Sequence, residues 1–132
     1  MILIINTAVD KSVEVILIKD STDFKVKEIK GEYKQSETLL PLIKESLIDC
    51  DKELTDIDGI CVVSGPGGFT ALRIGVVTAN VLAYALNIPV VGINLDEFKT
   101  NEELVVKAID KLNEAEVGNI VMPEYGREPN IS

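Results

Sequence analysis

The sequence contains no histidine and no tryptophan in 132 residues. Without imidazole there is no histidine general base, no Cys-His or Ser-His nucleophile pair and no histidine metal ligand. A metal site would rest on carboxylates alone, or on two cysteines poorly spaced for zinc. Aromatic residues make up only 5% of the chain, so the core must be built from Ile, Val, Leu and Ala. Basic residues are scarce: 13 Lys plus Arg stand against 22 Asp plus Glu, a net charge of −9. Affinity for nucleic acid comes mainly from neutralising phosphates, so the chain alone repels it, and no lysine-arginine cluster offsets this. The acidic balance fits a soluble cytosolic protein, or one with a basic partner. Of the two cysteines, Cys50 falls at a helix end and Cys61 inside a strand, and both read as reduced. No stretch reaches the length of a membrane span without polar interruption. Residues 1–7 lack a basic leader and a small-residue cleavage site, so they read as a strand rather than a signal peptide.

What is present is a change of hydrophobic period along the chain. Residues 1–6 form an unbroken apolar run, which suits a central strand covered on both faces. Residues 12–19 are a second strand. Phe24 and Val26 alternate with Lys25 and Lys27, a half-buried strand whose lysines suit a sheet edge. Leu39, Leu40, Ile43, Leu47 and Ile48 then repeat at helical spacing. Pro41 belongs in the first turn of that helix, which places its start near residue 37 or 38, or else kinks the helix there. Residues 59–64 read as a buried strand, 70–86 as a long helix, and 89–94 as a further strand. Residues 102–114 read as an amphipathic helix with Leu104, Val105, Ala108, Ile109 and Leu112 on one stripe. A last short strand is expected at 119–122. Strands alternating with helices in the second half imply parallel pairing there. The expected fold is therefore a single α/β domain with a mixed five-stranded sheet: three antiparallel strands, then parallel ones, flanked by helices.

Two segments stand out chemically. Gly65-Pro66-Gly67-Gly68-Phe69-Thr70 joins a strand to a helix. Such a turn can present several N–H groups to a phosphate, or it can simply turn tightly. It is neither a P-loop nor a dinucleotide fingerprint. In the helix that follows, the clearly polar residues are Arg73, Thr78 and Asn80, so it needs cover nearly all round. Ala71, Gly75, Ala79 and Ala83 recur at steps of four, a ridge of small side chains that lets another backbone come close. The ridge packs either on the protein's own sheet or on a partner, and the shortness of the chain favours a partner for part of the helix. Arg73 either binds an anion or partner carboxylate or carries its charge to the surface. Asn6, at the end of the first strand, reads as a turn former and a poor metal ligand.

The segment Gln35-Ser36-Glu37-x-Leu39-Leu40-Pro41-x-Ile43, followed by Gly65-Pro66-Gly67-Gly68-Phe69-Thr70-Ala71-Leu72-Arg73-Ile74-Gly75, resembles the TsaB (YeaZ) family. The opening strand and Val90-Val91-Gly92-Ile93 resemble that family's strands, so the likeness spans roughly residues 1–95. Asn6, Gly68 and Ala71 replace the family's usual Asp, Ser and Gly. The resemblance implies an actin/hexokinase-like (ASKHA, ribonuclease H-like) domain over 1–96. Residues 97–132 would be a remnant helix, short strand and tail packed on it, in place of a second α/β half. Pro123-x-Tyr125-x-Arg127-x-Pro129 resembles the family's C-terminal ending, which suggests an internally shortened natural protein. The resemblance also implies a cytoplasmic, non-catalytic scaffold without a cofactor, whose partner is TsaD, the catalytic subunit for threonylcarbamoyladenosine in tRNA. TsaE is implied as an accessory, tRNA is reached only through the complex, and the chain pairs with itself when alone. The expected interface comprises Leu39, Leu40, Ile43 and Leu47 of one helix with Ala71, Arg73, Gly75, Ala79 and Ala83 of the next. A stand-alone homodimer and an ATP-binding protein using the glycine loop are the alternatives.

Overall fold

The computed structural model describes residues 1–31 and 35–125. Its strands are β1 (Ile2–Asn6), β2 (Ser12–Asp20), β3 (Asp23–Lys30), β4 (Gly59–Gly65) and β5 (Val90–Asn94). Its helices are α1 (Gln35–Asp49), α2 (Phe69–Leu86) and α3 (Asn101–Asn113). The sheet runs β3-β2-β1-β4-β5. The β1–β2 and β2–β3 pairs are antiparallel, and β1–β4 and β4–β5 are parallel, as expected from the sequence.

Alternation along the strands divides the core into two layers. Leu3, Ile5, Val15, Leu17, Ile60 and Val62 face α1 and α2. Ile4, Ile16, Ile18, Cys61 and Val63 face α3, which supplies Leu104, Val105 and Ala108. Burial pushes the Cys61 thiol up to about 12, so it behaves as a core apolar group. β1 and β4 are buried on both faces, which is why they read as unbroken apolar runs. β3 is the lysine-bearing edge, and Lys27 reaches across to Glu45 at 3.2 Å and to Asp49, tying the edge to α1.

Two expectations need correction. First, α1 begins at Gln35 and carries Pro41 in its interior. The missing N–H leaves one turn without its bond, but Pro41 lies on the exposed side, where water can reach the freed carbonyl. Second, residues 119–122 form no strand. They pass alongside α2, held by the side-chain amide of Asn80 instead of a ladder. α2 is long and apolar enough, by length and composition, to cross a membrane, although Arg73, Thr78 and Asn80 interrupt it. In this fold its buried side, Leu72, Gly75, Val76, Ala79 and Ala83, packs on the sheet. Asn87 ends it in the left-handed region, its N–H meeting the Ala83 and Tyr84 carbonyls.

Candidate functional site

The glycine loop is occupied by the protein's own backbone. Gly65 has φ +142°, and a Cβ there would lie 1.8 Å from the Glu124 carbonyl oxygen. The Glu124 N–H donates to the Ser64 carbonyl at 2.7 Å. A Cβ on Gly67 would lie 2.9 Å from the Ala8 carbonyl oxygen, whereas one on Gly68 would meet nothing. Gly65 and Gly67 are thus small because two backbone segments close on them. Pro66, in cis after Gly65, completes the turn, and Gly68 caps α2 without a side-chain bond. Phe69 packs edge-on against Tyr125, with ring centroids 4.3 Å apart. Arg73 Nε donates to Tyr125 Oη at 3.3 Å, so its described partner is a phenol. Thr70 stays exposed in the first turn. Of the tail motif, Pro123, Glu124 and Tyr125 are placed in this way, while 126–132, with Arg127 and Pro129, lie outside the described residues.

The end of β1 is locked as well. Asn6 is buried, and its Oδ1 accepts from the Ala8 N–H at 3.0 Å, a turn-forming role. Thr7 Oγ1 donates to the Ala71 carbonyl at 2.7 Å. Gly75 packs over it: a Cβ there would lie 2.3 Å from Thr7 Oγ1. Among the described residues no three acidic or cysteine side chains gather as a metal would need.

The small ridge turns inward. Gly75, Ala79 and Ala83 are buried against the protein's own sheet, and Ala71 is half-buried. Leu39, Ile43 and Leu47 are likewise core residues. Of the nine expected interface residues, Leu40 and Arg73 are exposed. The small side chains let α2 lie close on β4 and β1, so the ridge serves the protein's own sheet. The opposite side of α2 carries a second stripe. Val77, Val81 and Tyr84 are 52%, 58% and 90% exposed. Leu40 of α1 is exposed as well and shares a groove with Val77. A groove of about 350 Å³ runs between the helices, lined by Leu40, Arg73, Ile74, Val77 and Thr78. The signal was present in the sequence: Val77 follows Gly75 by two positions, about 200° around the helix. A helix apolar all round carries two stripes, and here the bulky one faces out.

The fold matches solved structures of known relatives. YeaZ from Pseudomonas aeruginosa superposes with a TM-score of 0.66 at 26% identity, over 70% of this chain and 43% of that one. This is the actin/hexokinase-like fold expected from the motifs. The tRNA threonylcarbamoyladenosine biosynthesis protein TsaB of Escherichia coli is 30% identical over 102 residues, 72% of this chain and 42% of that protein. The tRNA N6-adenosine threonylcarbamoyltransferase of Geotalea uraniireducens is 46% identical over 61 residues, 46% of this chain and 18% of that protein. The chain therefore spans less than half the length of these relatives. The family described as TsaD, tRNA N6-adenosine threonylcarbamoyltransferase, matches residues 32–121. The chain belongs to this threonylcarbamoyltransferase family, and TsaB (YeaZ) is a member that it resembles over 72% of its length.

Proposed function

We propose that the chain is a non-catalytic subunit in the threonylcarbamoyladenosine modification of tRNA, docking onto a TsaD-type catalytic subunit through the outer face of α1 and α2. The observation that carries this reading is the exposed apolar pair Leu40 and Val77 lining the groove between the helices, with exposed Val81 one turn further along α2. Bulky aliphatic groups left in water on adjacent helices favour a partner that brings two helices of its own, giving a four-helix contact. Arg73, at the rim, supplies one charge for orientation. The non-catalytic assignment is supported by the backbone contacts that close Gly65 and Gly67, which leave a phosphate little room. At net −9 the chain would reach tRNA only through its partner. In this reading residues 1–96 form the docking domain and 97–132 brace it, in the cytoplasm, with TsaE as a further contact of the assembly.

The same face favours self-pairing when the partner is absent, since a twofold contact needs one self-complementary patch. Light scattering on the purified chain, alone and mixed with the TsaD-type subunit of the same cell, tests both. A heterodimer that forms at the expense of a homodimer supports the reading. Two non-interacting species contradict it.

A further inference from the structure

β5 ends the sheet, and among the described residues nothing pairs with its outer edge. The Ile60 N–H donates to the Pro89 carbonyl, so Pro89, Val91 and Ile93 turn their backbone groups toward β4. Val90, Gly92 and Asn94 therefore turn theirs outward. The Asn94 N–H is satisfied by Glu97 Oε2 at 2.8 Å. The N–H and C=O of Val90 and of Gly92 remain, four groups spaced as a strand ladder requires.

This edge is the floor of a groove of about 650 Å³ with two unlike walls. One wall is the end of α3, with Lys111, Glu114 and Ala115. The other is the segment carrying Ile120, Val121 and Met122. Glu97 and Glu124 lie at the end beyond Asn94, and Lys111 is already paired with Glu97 at 3.2 Å. The charge left over in the groove is negative. Ile120 and Met122 are 73% and 71% exposed. An added strand turns alternate side chains to opposite walls. Such a strand would set one set of residues against Glu114 and the other over Ile120 and Met122.

We propose that the β5 edge is a strand-addition site for an extended peptide segment that alternates basic and aliphatic residues. The occupant follows from the two walls, acidic on the α3 side and aliphatic on the other. A second copy of this chain is a poor fit, because it would bring the same carboxylates face to face. The site lies at the sheet edge and does not depend on docking through α1 and α2.

The probe is a synthetic peptide of alternating lysine and valine, about as long as β5 plus one residue at each end. Two companions accompany it: the same peptide with alternate backbone nitrogens methylated, and a glutamate-valine version. Amide exchange is followed by NMR on the intact chain. With the lysine-valine peptide at roughly ten times its Kd, the Val90 and Gly92 amides should exchange about tenfold more slowly. Asn94, already bonded to Glu97, should change little. The methylated and acidic peptides should give no protection. Glu114→Lys, on an exposed helix end, should weaken binding about fivefold without altering the fold. The proposal is overturned if the lysine-valine peptide leaves both amides unprotected at millimolar concentration. It is also overturned if the methylated peptide binds equally well, since that would leave charge attraction without a ladder.

Discussion

Asn80 and Val121 exchange two hydrogen bonds: Asn80 Nδ2 donates to the Val121 carbonyl at 2.8 Å, and the Val121 N–H donates to Asn80 Oδ1 at 3.0 Å. A side-chain amide thus does for the 119–125 segment what a neighbouring strand would do. It sets the segment so that Glu124 can close on Gly65 and Tyr125 on Phe69. Asn80→Ala should therefore destabilise the protein by about 1–3 kcal/mol, because both backbone groups of a half-buried residue lose their partners. Urea unfolding measures the loss. Exchange of the Val121 amide should accelerate first, ahead of the core strands.

The inward ridge separates folding from docking. Gly75→Leu should unfold the domain, since even a Cβ meets Thr7 Oγ1 at 2.3 Å, on a short β-branched side chain already held to the Ala71 carbonyl. Ala79→Arg places a charge in the core between α2 and the sheet and should unfold it too. Circular dichroism on both variants checks this. Native spectra with unchanged melting would mean that the ridge faces outward after all.

Most of the architecture could be read from the sequence because its hydrophobic periods are unambiguous. The apolar run of residues 2–6 specified a central strand, and the Lys25–Lys27 alternation specified an edge. The ridge failed as an interface signal because step-of-four spacing states which residues share a side but not which neighbour takes that side. Val77 and Val81 on the opposite stripe complete the picture only once the sheet is in place. The 119–122 strand failed for a different reason. A short apolar segment looks the same in sequence whether its backbone bonds go to a ladder or to one asparagine. The glycine loop was ambiguous for want of its cover, since Glu124 and Ala8 are distant from it in the chain.

Glu14 gives a pH test. Burial, then the neighbouring Glu28 carboxylate, raises its pKa above the ordinary 4.5. A carboxyl that is harder to ionise folded than unfolded favours the folded state while protonated, and that advantage is lost as pH rises through the folded value. Glu14→Gln should therefore raise Tm near neutral pH, and the difference should shrink as pH falls below 4.5. Melting curves across that range decide it. An equal effect at all pH values would assign the change to packing.

The closed loop makes a prediction about nucleotide. Mg-ATP should give no stoichiometric heat with the isolated chain, and Gly67→Val should lower stability because its Cβ meets the Ala8 backbone. Calorimetric binding that the same substitution abolishes, in a variant that still folds, would show the loop to be a phosphate site.

The decisive measurement is the affinity of the Val77→Arg, Val81→Arg double variant for the TsaD-type catalytic subunit, with thermal melting in parallel. Both side chains are exposed, so the variant should melt within a few degrees of the parent, as surface changes usually do. Two charges placed on an apolar contact should weaken the complex by about 2–4 kcal/mol or more, roughly 30-fold to 1,000-fold. Loss of binding with an intact fold is the predicted result. Unchanged binding by a folded variant would contradict docking through α1 and α2.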